Sequence, residues 1–194
     1  MATPNLPPSD IAPAEFFETW LPAEYRRMRA DLPAPPDAVI HIALSGEGGG
    51  AWTLSLSGGE LSVAAGAPDN ANIAIRQSVE DWRLVTVQAA EHGPDPAAGA
   101  TIEKLLTGPA LGQVLDTVSG TIRFEVPGLA GRDFATEITF SGAAEPSSTI
   151  TVSADVLEQI RSGALAAPAA YFSGQIQIAG DPTLAMQVGM AFMS

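Results

Sequence analysis

The chain has 194 residues, of which 46% are hydrophobic, and its 9 basic against 22 acidic residues give a formal net charge of −13. A field of that sign repels phosphate backbones, so nucleic acid is not an expected partner. The sequence has no cysteine, which excludes disulfides and thiolate ligands, and no apolar run long enough to span a bilayer. No secretory signal is visible either, so we expect a cytoplasmic protein without an integral membrane segment.

The N-terminal part predicts a tail followed by an interrupted helix. Residues 1–13 are rich in proline and small residues and are expected to form a flexible, poorly ordered tail. Residues 14–31 place large apolar side chains at helical spacings, with Pro22 inside the pattern. Because proline removes a backbone donor, we expect a kink or two shorter helices.

The same helix carries the basic cluster of the sequence. We interpret the cluster as a solvated helix face balanced by neighbouring glutamates. The alternative interpretation is a docking spot for an acidic partner or a lipid head group. The cluster consists of Arg26, Arg27 and Arg29.

Alternating apolar and polar residues then predict four strands, and short glycine-rich links between the first three predict hairpins. Residues 46–51 fit the letters of a dinucleotide-binding loop, but a strand rather than a helix follows, so a hairpin is favoured. Ser78, followed three residues later by Asp81, predicts a capped helix. The predicted strands are 39–46, 51–59, 60–66 and 70–77.

A second region of helices and strands follows a linker. Residues 89–101 are small, polar and interrupted by proline, which is typical of a linker. Helices are predicted at 101–106 and from Pro109 to Val118. Strands are predicted at 120–128 and 133–142.

The last quarter of the chain, residues 147–194, is almost entirely apolar and predicts strand, helix, small-residue turn, strand and helix. Ser153 offers an N-cap to the first of these helices. Gly174 opens a strand in which isoleucine and glutamine alternate, and Asp181 caps the final helix. That helix has no charged residue from Leu184 to Met193 and is apolar all round, so it must be buried or cover a ligand.

Several short pieces of this quarter follow one another in a particular order. They are Thr149-Ile150-Thr151-Val152, Asp155 with Val156 and Leu157, Gly163, Ala170-Tyr171-Phe172-Ser173-Gly174, Gln175-Ile176-Gln177-Ile178, Gly180-Asp181 and Leu184-Ala185-Met186. Their order and spacing resemble the sterol carrier protein 2 (SCP2) family, best over residues 120–190 and more weakly over 37–85. The resemblance implies an α+β fold, in which helices cover a mixed or antiparallel sheet over an apolar tunnel. It also implies binding of lipids rather than catalysis.

The two parts of the chain also resemble each other. Residues 14–88 form a helix plus a first SCP2-like half, and residues 102–194 form a second one. The first half lacks a counterpart of the last strand and helix, and the second lacks the third strand. A duplication with eroded halves and one enlarged domain with extra strands both remain open. We favour one compact body of two related halves.

Catalytic and metal sites need clustered residues that the sequence does not offer. Its two histidines are His41, on a strand, and His92, in the linker, and there is no Gly-x-Ser-x-Gly motif. We therefore expect no catalytic residues, no metal and no cofactor, and an esterase-like enzyme with His41 as base is the least favoured hypothesis. Two carboxylate pairs are expected to be solvated, namely Glu80/Asp81 and Asp133/Glu137.

These observations lead to a hypothesis of non-enzymatic binding or transfer of a lipid or other long apolar ligand in an SCP2-like tunnel. The alternative is a structural or protein-interaction module with a filled tunnel that assists an unknown partner protein. The resemblance places the final helix against the tunnel, and methionine adapts its shape to apolar partners. The predicted lining residues are Val156, Leu157, Ile160, Phe172, Ile176, Ile178, Leu184, Met186, Val188, Met190, Phe192 and Met193.

Overall fold

Eight strands form one sheet, in the order β3-β2-β1-β4-β6-β5-β7-β8. The computed structural model of the chain describes residues 5, 7–29, 34–88 and 110–193, apart from the side chains of 88, 110, 161 and 190–193. The predicted linker 89–101, with His92, and the predicted helix 101–106 lie outside the described residues. The strands are β1 (Ala38–Ser45), β2 (Gly50–Ser57), β3 (Glu60–Ala65), β4 (Ile73–Ser78), β5 (Gly120–Leu129), β6 (Arg132–Phe140), β7 (Ser147–Val152) and β8 (Ile176–Gly180).

Helices precede, connect and follow these strands. Helix α1 has an α-helical start, a π-helical turn and a longer α-helical part, and helix α2 ends in a π-helical turn. In the described part of the chain the helices are α1 (Pro13–Glu15, Phe16–Trp20 and Leu21–Arg29), α2 (Val79–Arg83 and Leu84–Gln88), α3 (Ala110–Thr117), α4 (Ala154–Arg161), α5 (Ala167–Phe172) and α6 (Pro182–Met193).

The interruption predicted in the first helix is a single π-helical turn. Leu21 donates its backbone N–H to the carbonyl of Phe16, five residues earlier, directly before Pro22. A proline ring inside a regular helix collides with the carbonyl four residues back and removes one donor. A π turn is one way to absorb such a defect without ending the helix.

Most predicted elements are confirmed, and one was missed. β1 and β2 pair in antiparallel fashion, so the glycine-rich residues 46–51 form a hairpin turn. Helix α5 was not predicted, because its small residues were interpreted as a turn. Its sequence begins with Ala167 and Pro168 and lacks an apolar helical period, so a local pattern does not reveal it.

The sheet has one apolar face and one polar face. Ile40, Ile42 and Ile73 are buried against helices. Their neighbours in the strands point the other way, and His41 and Arg76 on that second face are at least partly accessible. Every strand residue in the apolar clusters lies on the first face by the register of the pairs, so helices and sheet form two layers.

The same strand arrangement occurs twice in the sheet. β1 and β2 form a hairpin and β4 runs parallel to β1, just as β5 and β6 form a hairpin and β7 runs parallel to β5. β6 pairs with β4 as β8 pairs with β7, both antiparallel. β4 pairs with β6 in the same position that β3 takes beside β2. β4 therefore serves as the third strand that the second half lacks, and β6 serves as the last strand that the first half lacks.

Candidate functional site

The buried apolar residues form two clusters, and the larger one is a closed core. It includes an aromatic group contributed by α1, α2 and β2. The rings of Phe17 and Trp52 stack with centroids 4.8 Å apart, and Phe16 meets Trp82 edge to face at 5.3 Å. The whole set of buried residues around these rings is here called the large cluster. It is the main packing partner of the sheet.

The second group, here called the small cluster, is less completely covered. Among the described side chains it has five buried and nine half-buried members. It lies over the ends of β5, β6, β7 and β8, beneath α4 and α5. The buried members are Val126, Phe134, Val152, Val156 and Ala170, and the half-buried ones are Leu84, Val85, Phe124, Leu129, Ala154, Leu157, Ile160, Leu165 and Ile176.

Helix α4 is placed over the small cluster by its N-terminal cap. Ser153 is extended, and its hydroxyl accepts a hydrogen bond from the backbone N–H of Val156 at 3.4 Å. The helix ends before Gly163, whose φ of +74° suits glycine. Capped at this point, the helix turns Val156, Leu157 and Ile160 towards the sheet, as the sequence predicted for one helical face.

An ion pair joins the two halves beside the small cluster. Arg132, at the start of β6, donates from Nη2 to Asp81 Oδ1 at 2.7 Å, and its Nη1 lies 3.4 Å from Glu80 Oε2. The backbone N–H of Asp81 donates to the hydroxyl of Ser78 at 2.9 Å, which confirms the predicted cap. The expectation of a solvated Glu80/Asp81 pair is wrong for Asp81, which is buried because this arginine compensates its charge.

The predicted lining residues separate into groups with different surroundings. Val156, Leu157, Ile160 and Ile176 meet in the small cluster. Leu184 and Val188 on α6 and Ile178 on β8 pack in the large cluster instead. The side chains of Met190, Phe192 and Met193 lie outside the described part of the structure.

Two predicted lining residues are exposed. Phe172 is 85% exposed and Met186 is 51% exposed. Phe172 is the last residue of α5, and its ring meets that of Tyr171 with centroids 5.6 Å apart. The unpredicted helix explains the exposure of Phe172, because a residue at a helix end does not follow the alternation of the strand after it.

Several members of the small cluster were not predicted as site residues. Phe124 and Val126 on β5 and Phe134 on β6 share the apolar face of the sheet. Their alternation is visible in the sequence and could have identified them. Leu84 and Val85 reach the cluster from α2 of the first half, and no local pattern indicates that contact.

The remaining candidate catalytic groups are His41, Asp133 and Glu137, and each has different neighbours. Nε2 of His41 is buried without a hydrogen-bond partner, and burial, together with the charge of Arg76, lowers the pKa of this histidine. Asp133 accepts a hydrogen bond from the backbone of Gly128, and Glu137 pairs with Arg76 at 3.2 Å. Within the described residues, no three histidines or carboxylates gather where they could hold a metal ion.

Two cavities lined by described residues lie away from the small cluster. One of about 220 Å³ lies between α1 and the β2–β3 turn. Another of about 530 Å³ lies at the polar side of β1, β4, β5 and β6. None of the helices in the described part of the chain is long and apolar enough to cross a membrane.

The second half of the chain matches a known protein family. Residues 101–193 match the SCP-2 sterol transfer family. The resemblance predicted from the sequence is thereby confirmed for the part of the chain that supplies α4, α5 and most of the small cluster. The predicted α+β fold, a mixed sheet covered by helices, is confirmed as well. A search among curated proteins finds no match.

Three solved structures illustrate the extent of similarity. Sterol carrier protein 2 like 2 from Aedes aegypti is 22% identical, with 38% of this chain and 72% of that chain covered and a TM-score of 0.30. Sterol carrier protein domain 2 of Helicoverpa armigera is also 22% identical, with 55% and 86% covered and a TM-score of 0.37. The inverting sec-alkylsulfatase Pisa1 from Pseudomonas sp. is 12% identical, with 81% and 12% covered and a TM-score of 0.19.

Proposed function

We propose that the chain binds a lipid or other long apolar molecule at the small cluster, without catalysing a reaction on it. The observation that carries the proposal is the half-buried state of the nine apolar side chains around the five buried ones. A ligand laid over them would remove apolar surface from water, which is the main driving force for such binding. The match of residues 101–193 to a sterol transfer family supports the same ligand class.

The energy needed for such binding is available from apolar contact alone. Each CH₂ group moved from water into an apolar site contributes about 0.8 kcal/mol. An acyl chain that buries eight such groups would gain roughly 6 kcal/mol before the cost of association. No polar catalyst is required.

Some of the proposed contact residues belong to the small cluster, and others were predicted from the sequence alone. Leu157, Ile160 and Ile176 are the main proposed contacts, and Leu84 and Phe124 are half-buried members of the same cluster. Met190, Phe192 and Met193 at the end of α6 stay predicted lining residues from the sequence, and their side chains lie outside the described part of the structure. The proposal includes a location in the cytoplasm, for which the cysteine-free sequence is suited.

Displacement of a fluorescent fatty acid tests this proposal. We expect Leu157→Asn to weaken binding by about tenfold or more, because a half-buried apolar contact is lost. Leu115→Asn is a matched control, since Leu115 is also a half-buried helical leucine but packs on the large cluster. Equal affinities of the two variants, or no binding of any lipid class by the wild-type chain in native mass spectrometry, would contradict the proposal.

A second candidate function is a protein-interaction module. The exposed pair Tyr171 and Phe172 favours it, because large exposed aromatic side chains are enriched at protein interfaces. Phe172→Ser should then abolish binding of a defined partner while fatty-acid displacement is unchanged. If Phe172→Ser weakens fatty-acid binding as much as Leu157→Asn does, the ring contributes to the lipid site instead.

A further inference from the structure

The cavity of about 220 Å³ between α1 and the β2–β3 turn is lined by two of the three clustered arginines. Its walls are formed by the end of α1 on one side and by the turn and the start of β3 on the other. This volume is several times the share of one water molecule in the liquid. The lining residues are Tyr25, Arg26, Arg29, Gly59, Glu60 and Leu61.

Arg29 has a partly buried charge that no carboxylate of the described residues compensates. Its Nε is buried without a hydrogen-bond partner, and no ion pair within the described ranges involves it. By contrast, Arg132 pairs with Asp81, and Arg76 with Glu137. The hydroxyl of Tyr25 interacts with this guanidinium, but a neutral hydroxyl does not compensate its charge.

The β2–β3 turn is shaped around this guanidinium. A Cβ atom on Gly59 would overlap Nη2 of Arg29, so glycine at this position leaves room for the guanidinium where it lies. The hydroxyl of Tyr25 donates to the carbonyl of Gly59 at 3.2 Å and holds the turn in place. Burial raises the pKa of Tyr25, against the opposing charge of Arg29, so this hydroxyl keeps its proton at neutral pH.

The charges around the cavity favour an anion. Arg26 is exposed, and its Nε donates to the carbonyl of Pro22 at 3.1 Å, while no ion pair of the described residues includes it. Among the described lining residues, Glu60 is the one carboxylate, and it too is exposed. Two guanidinium groups therefore face one carboxylate in a chain whose overall charge is strongly negative.

We propose that this cavity binds a carboxylate or phosphate group, with Arg29 as the main charge partner and Arg26 as the second. A guanidinium presents its N–H groups in a planar fork that matches the oxygens of either anion. The anion would occupy the cavity beside the guanidinium of Arg29. The site uses none of the small-cluster residues, so its test is independent of the lipid-binding test.

Titration calorimetry with inorganic phosphate at low ionic strength and pH 7.5 tests the site. We expect Arg29→Gln to weaken phosphate binding at least about tenfold, since a charge-assisted contact is removed. Arg76→Gln is the charge-matched control, because it removes the same charge on the polar face of the sheet. Absence of phosphate and acetate binding to the wild-type chain, or equal weakening in both variants, would overturn the proposal.

A second pair of variants separates the pocket from general folding effects. Gly58 and Gly59 are adjacent and both have positive φ, at 56° and 79°. A Cβ on Gly58 meets nothing within 4 Å, whereas one on Gly59 displaces the guanidinium of Arg29. We expect Gly59→Ala to lose phosphate binding and Gly58→Ala to keep it, with similar stabilities; retention of phosphate binding by Gly59→Ala would contradict the proposal.

A free anion and the acidic head group of an amphipathic ligand present the same charged oxygens to the two arginines. Dodecyl phosphate distinguishes these two kinds of ligand. If it binds at least tenfold more tightly than inorganic phosphate and Arg29→Gln weakens both, the site receives a head group. If both ligands bind equally and both depend on Arg29, the site receives free anions. A dodecyl phosphate affinity and a phosphate affinity that are both insensitive to Arg29→Gln would overturn the assignment.

Discussion

Nη2 of Arg132 lies 2.7 Å from Oδ1 of Asp81, although 51 positions separate the two residues in sequence. Asp81 belongs to the helix of the first half and Arg132 to the hairpin of the second. Because the carboxylate is buried and the arginine is only a third exposed, the pair fixes how α2 meets the sheet.

Removal of this arginine is therefore predicted to destabilise the fold. Arg132→Met leaves Asp81 buried without its charge partner, and we expect the free energy of unfolding to fall by about 1–3 kcal/mol. Arg123→Met is the control, because the Arg123–Glu125 pair is more exposed and such pairs contribute about 0–1 kcal/mol. Urea unfolding measures both, and equal losses would contradict the structural role of Arg132.

Local sequence patterns predicted much of the fold for a definite reason. Alternation identified the strands because one face of the sheet is apolar and the other polar, as in Ile40, His41 and Ile42. The caps at Ser78 and Ser153 were likewise visible, since a cap depends on neighbours within three residues.

What could not be predicted depends on contacts between distant parts of the chain. The pairing of β4 with β6, which merges the halves into one sheet, joins Ile75 to Ile138 and leaves no local trace. Leu84 of the small cluster was missed for the same reason, because it comes from the first half. Phe172 was misplaced because α5 was missed.

Glu24 is predicted to make stability depend on acidic pH. Hydrogen bonds from Arg27, and in second place from Asn5, hold the pKa of this buried carboxyl below its ordinary value of 4.5, although burial opposes them. A carboxyl with a lowered folded-state pKa stabilises the fold above its unfolded-state pKa and loses that contribution as the pH falls through the folded-state value.

The corresponding experiment compares urea unfolding of the wild-type chain and Glu24→Gln between pH 7 and pH 3. We expect the wild type to be the more stable at pH 7 and its advantage to shrink below about pH 4.5. Glu47→Gln, at an exposed turn, serves as the control and should not change the profile. A constant difference between wild type and Glu24→Gln at all pH values would contradict this role.

His41 is predicted to respond to the charge of Arg76. Burial is the larger cause of its lowered pKa, and the positive charge of Arg76 is the second. Arg76→Gln should therefore raise the pKa of His41 towards, but not fully to, its ordinary value of 6.5. An NMR titration of the imidazole measures the change, Arg83→Gln is the control, and a pKa that does not rise would exclude this interaction.

Gly120 is predicted to be required where the second half of the sheet meets α6. Its φ is +128°, and a Cβ atom there would overlap the carbonyl oxygen of Pro146 and lie 2.9 Å from Cδ2 of Leu184. Gly128, at the other end of β5, has a φ of +77° but open space around the same position. Both alanine variants incur the cost of a positive φ, about 1–3 kcal/mol, and only Gly120→Ala adds a collision with backbone that cannot move aside. We expect Gly120→Ala to lower the free energy of unfolding by clearly more than Gly128→Ala in urea titrations.

Hydrogen exchange should also accelerate in α6 of Gly120→Ala alone, because Leu184 must shift. Equal stabilities of the two variants, with unchanged exchange in α6, would show that the space at Gly120 is not needed.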